Sequence, residues 1–323
     1  LNVFRKKGNY YLMGPEEKSL SLFFKGHIDP TIENFEFFQE YSELSSLKKI
    51  EQPPVFFLSR TQNFYPNPGD DFFKTSITVT LPGKLNCLAS GNLVKKKIED
   101  ASVFTYESVA SKGISMVTGD FSKSKTLKSR IPVEFYTPPS FQYPRGLKFN
   151  EIQKGFDFFI DSFGKPDLKA VNIMLKKGYV EGGISNYGFI VMNVLPPWGE
   201  IARSDTLTGT AARANAIAFA KKGIQSPILV RYKLEDNILH ELAHQWWGGM
   251  VSWKSYRDLW ITEGLAQFSV LYFLKKHLPP KSFNRIVKRV KRWIYRYSDT
   301  GPIVYGTRIR SLENATEPFQ SII

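Results

Sequence analysis

Two stretches decide the reading of this chain: residues 240–248, His-Glu-Leu-Ala-His-Gln-Trp-Trp-Gly, and residues 258–266, Asp-Leu-Trp-Ile-Thr-Glu-Gly-Leu-Ala. The first belongs to a helix predicted over 235–247, stopped by Gly248 and Gly249. His240 and His244 are four apart, so on a helix they share a face and can turn both imidazoles to one ion. Glu241 occupies the adjoining surface, where it can take a proton from water without entering the inner shell of a metal. The second stretch opens a helix predicted over 261–277, closed by Pro279 and Pro280. It offers Glu263 as a third ligand, with the small residues Gly264 and Ala266 predicted to let the two helices approach. Two His and one Glu leave the fourth tetrahedral position open, as a catalytic zinc ion requires. One Zn2+ is therefore the expected cofactor. Asp258, just ahead, is a candidate to accept a hydrogen bond from a ligating His and fix its tautomer; its other reading is an exposed loop carboxylate. The plain structural alternative is a pair of core histidines, with Glu241 exposed and Glu263 favoured by the helix dipole.

These residues resemble the aminopeptidase N and leukotriene hydrolase family of zinc peptidases (gluzincins), in a divergent, bacterial-type form. The resemblance is densest over 240–268 and extends to 179–194. It implies an α+β protein, with an N-terminal antiparallel β saddle over 1–140 and a thermolysin-like, mainly helical zinc domain over 141–323. It implies His240, His244 and Glu263 as zinc ligands, Glu241 as general base, and peptide or protein as substrate. The family's substrate loop reads Gly-x-Met-Glu-Asn; here the matching residues are Gly182, Gly183, Ile184, Ser185 and Asn186, so Ser185 stands where the amine-holding glutamate belongs. A hydroxyl cannot ion-pair with an N-terminal ammonium. The stretch also reads as an ordinary glycine turn entering a strand. The resemblance further implies an oxyanion-stabilising tyrosine after the third ligand. Residues 301–308 resemble what precedes it, and the chain is expected to be a piece ending before it, with Tyr305 a packed aromatic. Two other readings keep the same metal centre: a zinc-containing binding protein that has lost peptidase activity, and an ester or epoxide hydrolase.

Outward from this centre, the first 140 residues are expected to be β-rich. Residues 20–27 are a short apolar run, and 75–81 alternate Ile77, Val79 and Leu81 against Thr, the period of a half-buried strand. Further strands are predicted at 85–88, 92–94, 103–109 and 114–117. Tyr65, Pro66, Asn67, Asp70 and Asp71 are similar to the family's β domain. Three prolines and a glycine at 137–146 predict a linker. A helix follows at 150–163, with Asn150 as candidate cap, then strands at 170–175 and 188–194. Residues 204–221 are alanine-rich and partly helical by propensity.

The chain has 323 residues and a formal net charge of +14. Such a field favours acidic partners, yet no nucleic-acid module is present and none is expected as partner. A helix at 281–297 carries Phe283, Ile286, Val287, Val290 and Ile294 on one face among many Lys and Arg. It either packs that stripe on the core or lies on an anionic membrane; the core reading is preferred, and membrane association is otherwise left to segments outside the chain. No run of about 18 apolar residues exists. Cys87 is the single cysteine, which excludes an internal disulfide and a multi-cysteine zinc site. His27 and His277 are isolated, and His277 is read as a helix C-terminal cation.

Overall fold

Pairing within the sheet does not stop at residue 140, where the sequence places a domain boundary. This emerges from a computed structural model that describes residues 2–6, 9–13, 55–59, 64–65, 72–139, 141–177, 182–194, 233–254 and 258–296. The expectations at 20–27, 66–71, 204–221, 301–308 and Tyr305 lie outside those residues. Leu1–Ile32 is a unit of its own. In it, β1 (Asn2–Lys6) and β2 (Asn9–Met13) form an antiparallel hairpin.

The unit Glu33–Ile323 begins with two antiparallel three-stranded sheets. One has the order β3-β8-β5, from β3 (Val55–Leu58), β5 (Asn86–Ala89) and β8 (Met116–Gly119). The other has the order β4-β7-β6, from β4 (Phe73–Pro82), β6 (Asn92–Ile98) and β7 (Ala101–Ser111). The alternation read in β4 holds: Lys74, Ser76, Thr78 and Thr80 are exposed while Ile77, Val79 and Leu81 pack on Cys87, Ala89, Phe104 and Tyr106. Burial pushes the Cys87 thiol up to about 12, so it is an inert core group.

A five-stranded mixed sheet follows, in the order β12-β13-β11-β10-β9. Its strands are β9 (Ser122–Leu127), β10 (Val133–Thr137), β11 (Val171–Lys177), β12 (Gly182–Asn186) and β13 (Phe189–Val194). β10, β11 and β13 run parallel, with β9 and β12 antiparallel to their neighbours. The sheet thus takes β9 and β10 from before residue 140 and the rest from after it. Neither strand was read from the sequence: lysine and serine alternate through β9, so its exposed face carries no apolar signal, and β10 is only 5 residues long.

Among the described residues four helices follow: α1 (Phe149–Phe163), α2 (Leu234–Ala243), α3 (Leu259–His277) and α4 (Pro280–Arg296). All residues of β13 are buried, as a strand covered on both faces must be. On one face Val171, Ile173, Leu175, Ile190 and Met192 meet Ile152, Phe156, Phe159, Ile238 and Leu242 of the helices. On the other, Met174, Phe189 and Val191 meet Phe57, Leu88, Val117 and Phe121. Each such side chain stabilises the fold by roughly 1.5–3 kcal/mol through burial.

The stretch at 137–146 is not a solvated linker. Phe141 and Tyr143 pack edge to face at 5.7 Å, Tyr143 does the same on Phe149 at 5.1 Å, and all three lie on the core. Nor does Asn150 cap α1. The helix starts at Phe149 with Lys148 in the capping position and no side-chain cap, and the Lys148 N–H donates to Glu235 Oε1 at 2.6 Å. His277 ends α3 with Nδ1 2.9 Å from the Phe273 carbonyl, packed against Phe158 and Phe273. In α4, Phe283 and Ile286 pack on the core while the described Lys and Arg side chains are exposed, the core reading. Among the described residues, no helix is long and apolar enough to cross a membrane.

Candidate metal centre

Helix α2 reaches the site buried along nearly its whole length, with Ile238, Leu239, Leu242 and Ala243 in the core. It passes close to α1: a Cβ on Gly155 would sit 2.5 Å from a methyl of Leu239, so a larger residue would force that buried side chain to move. The helix proper ends at Ala243, before the predicted Trp247. His244 occupies the capping position in right-handed helical conformation, and the next amides bond back in shortened turns, Gln245 to Leu242 and Trp246 to Ala243. Gly248, at φ 119°, makes the stop. Two indoles anchor this end: Trp246 Nε1 donates to the Gly164 carbonyl at 2.8 Å, and Trp247 Nε1 to Ser269 Oγ of α3 at 2.8 Å.

The three expected donors converge. His240 Nε2 is 3.2 Å from His244 Nε2 and 3.2 Å from Glu263 Oε2, and His244 Nε2 is 3.5 Å from the same oxygen. A tetrahedral ion with bonds of about 2.05 Å has its ligand atoms about 3.3 Å apart. The triangle therefore fits one face of a zinc tetrahedron, with borderline-soft nitrogen and oxygen donors suited to that ion. Among the described residues these three are the one cluster of potential metal-ligating groups so arranged.

Their electrostatics follow from this crowding. Burial disfavours the His244 imidazolium, but the Glu263 charge and its hydrogen bond outweigh burial and push the group up to about 9. Burial likewise opposes the Glu263 carboxylate, yet the two imidazoles hold it well below the usual carboxylate range. The pocket is thus built to place a positive charge beside Glu263, which a bound cation supplies in place of a proton. Burial pushes the Glu241 carboxyl up; the imidazoles of His244 and His240 oppose this and Glu263 reinforces it.

The outer nitrogens depart from expectation. His244 Nδ1 lies 2.8 Å from the Trp247 carbonyl, which fixes it as a donor there. His240 Nδ1 is buried with no hydrogen-bond partner. Asp258 stands at the N-terminal capping position of α3. A backbone carbonyl does what was expected of the carboxylate, because the turn after Ala243 brings Trp247 back under His244. The small-residue argument also divides. Ala266 is fully buried in the core, whereas a Cβ on Gly264 would meet nothing within 4 Å.

Residues 182–186, expected as a loop or glycine turn, are strand β12 at the edge of the sheet, pairing Gly182 with Asn193 through Asn186 with Phe189. Alternation sends Gly183 and Ser185 toward α2 and Ile184 toward the core formed with β3 and β8. A Cβ on Gly183 would lie 2.6 Å from Glu241 Cδ, so the strand passes directly over the carboxylate. Ser185 Oγ donates to the Glu241 carbonyl at 3.0 Å and accepts from Gln245 Nε2 at 2.9 Å. Asn186 points to the other side, where its Oδ1 accepts from Ser115 Oγ at 3.0 Å. Gln245, Trp246, Trp247 and Gly155 are the site-building residues that sequence reasoning passed over.

Residues 210–300 match the Peptidase family M1 domain. The chain is 21% identical over 279 residues to the alanine/arginine aminopeptidase of Saccharomyces cerevisiae, covering 84% of this chain and 30% of that protein. It is also 21% identical over 313 residues to a puromycin-sensitive aminopeptidase of Caenorhabditis elegans, covering 94% and 29%. The chain thus spans about a third or less of the length of these relatives. Among solved structures it resembles the M1 zinc metallopeptidase of Deinococcus radiodurans, with TM-score 0.57 and 16% identity over 83% of this chain and 55% of that one. A mutant of that enzyme bound to a Tyr-Ser-Ala substrate aligns with TM-score 0.57 over 84% and 56%. The fold is shared with that structure, and the stretch similar to the Peptidase family M1 domain spans both α2 and α3.

Proposed function

We propose that this chain carries the metal centre of a zinc-dependent peptide hydrolase, with zinc on His240, His244 and Glu263 and with Glu241 as general base. The observation that carries the reading is the donor triangle with edges of 3.2, 3.2 and 3.5 Å beside a buried carboxylate that belongs to none of its corners. When bound, zinc would lower the pKa of a coordinated water and polarise the scissile carbonyl. The protein's own residues do the rest. Glu241 takes the proton of the attacking water and returns it to the leaving amine. Its carboxylate is held under β12 by the contact with Gly183. The outer edge of β12 has no partner strand among the described residues, so a peptide can join it by main-chain hydrogen bonds, placing a scissile bond next to Glu241. The aminopeptidase relatives and the peptide-bound neighbour support a peptide substrate.

The test is Glu241→Gln in the zinc-loaded full-length protein. The amide keeps the shape but cannot accept the proton. Zinc stoichiometry stays as in the parent and turnover of peptides falls about 10³-fold. Unchanged turnover would remove Glu241 from the role.

A further inference from the structure

We propose that Gln245 is a positioning residue whose buried carboxamide latches the peptide-docking strand β12 onto the metal helix in a single register; this rests on reading β12 as the docking edge. Gln245 is fully buried. Its Oε1 accepts from the Gly188 N–H at 2.8 Å, in the turn between β12 and β13. Its Nε2 donates to Ser185 Oγ at 2.9 Å and to the Asn186 carbonyl at 3.3 Å. Ser185 Oγ in turn donates to the carbonyl of Glu241 at 3.0 Å. One chain of hydrogen bonds therefore runs from the hairpin turn, through Gln245 and Ser185, to the backbone of the general base. It brackets His244 on both sides in sequence.

A carboxamide sealed from water is costly unless its bonds are made, and here both ends of the amide have partners. An apolar side chain would fill the same space without selecting a register. Register matters because side chains alternate along a strand, and a slip of one residue turns every one to the other face. In the observed register glycine meets the Glu241 carboxylate, with no room for a Cβ. Slipped by one, Ile184 would face that carboxylate and Ser185 would face the apolar core. The latch fixes the register from the helix side. Gly91 fixes it from the other: its N–H donates to the Tyr187 carbonyl at 2.8 Å, and its own carbonyl would lie 2.8 Å from a Cβ on Gly188. The Ser185 hydroxyl, engaged as donor and acceptor within this chain, is part of the latch.

The experiment uses the zinc-loaded full-length protein with Gln245→Ala and Gln245→Glu. The glutamate keeps the acceptor for Gly188 and loses both donated bonds, so it serves if the alanine variant fails to fold. Hydrogen exchange is followed at residues 182–190 and, as control, in α1. Zinc content is measured alongside. Kinetics compare a tetrapeptide, which can pair along β12, with a single-residue amide, which cannot. Exchange at 182–190 is expected to quicken about 100-fold in the alanine variant and about 10-fold in the glutamate variant, with α1 and zinc content unchanged. KM for the tetrapeptide rises about 10-fold with kcat within about 3-fold, while kcat/KM for the short amide falls by no more than about 3-fold. Exchange that is unchanged at 182–190, or raised equally in α1, overturns the latch, as does an equal loss on both substrates. A zinc-loaded parent that cleaves neither substrate defeats the hydrolysis reading instead, and exchange at 182–190 then decides the latch alone.

Discussion

The metal helix and the strand that crosses it reach the same point by different routes. His240, Glu241 and His244 take their relative positions from helical periodicity that carries through the capping residue His244, and Glu263 meets both imidazoles from the next helix. β12 has no such internal rule. Its place over Glu241 depends on Gln245 in α2, on Gly91 from the β5–β6 turn, and on the absence of a side chain at Gly183. The proposed metal centre is thus specified locally and the proposed docking edge globally. The two should fail separately when mutated.

Replacing a ligand breaks the first half outright. His244→Ala or Glu263→Ala should weaken zinc binding by well over about 100-fold, the upper end of what outer-shell changes cost. Ser185→Ala should leave it within about 3-fold, both read by competition with a chelator. Gly183→Ala attacks the second half. Its new methyl overlaps the Glu241 carboxylate, so strand and base must part, and a displacement near 1 Å costs about 100-fold in kcat/KM. Zinc stoichiometry should not change.

A further variant asks what the metal helix costs the fold. Burial, with Glu235 and Glu151 adding to it against Lys233, raises the Asp236 carboxyl from 3.8 to about 6. The folded protein then holds this proton more tightly than the unfolded chain. Stability from the group is present below about pH 4 and is lost as pH rises through 6. Asp236→Asn should therefore be more stable by about 2–3 kcal/mol at pH 7 and equal to the parent near pH 3.5, measured by denaturant unfolding. The smallest effect is expected at Gly264, where a methyl enters open space. Gly264→Ala should gain about 0.5–1 kcal/mol in thermal or denaturant unfolding through helix propensity. A loss there would restore the idea that the helices need glycine to approach.

This division explains what could be read from the residues in advance. The meeting of His240, His244 and Glu263 and the half-buried strand β4 follow from short patterns and were legible, and the α+β class followed from the family resemblance. The partner of His244 Nδ1 was not legible, because a carbonyl beside it depends on how the chain turns after Ala243. β9 and β10 escaped notice because sheet membership is decided by partners far along the chain, β10 pairing with β11 across the whole of α1. Prolines at 137–146 suggested a linker, but Phe141 and Tyr143 among them fold onto the core. Gln245 looked like one more polar residue between a ligand and two tryptophans. Its role depends on the hairpin, which is some 60 residues away.

The central claim is one zinc ion on two imidazoles and a carboxylate. Zinc-edge X-ray absorption on the zinc-loaded full-length protein tests it most directly. The expected result is one zinc per chain, with imidazole nitrogen at about 2.0–2.1 Å and oxygen at about 2.0–2.2 Å. Sulfur scattering near 2.3 Å, or bound zinc with no imidazole signal, would contradict the account.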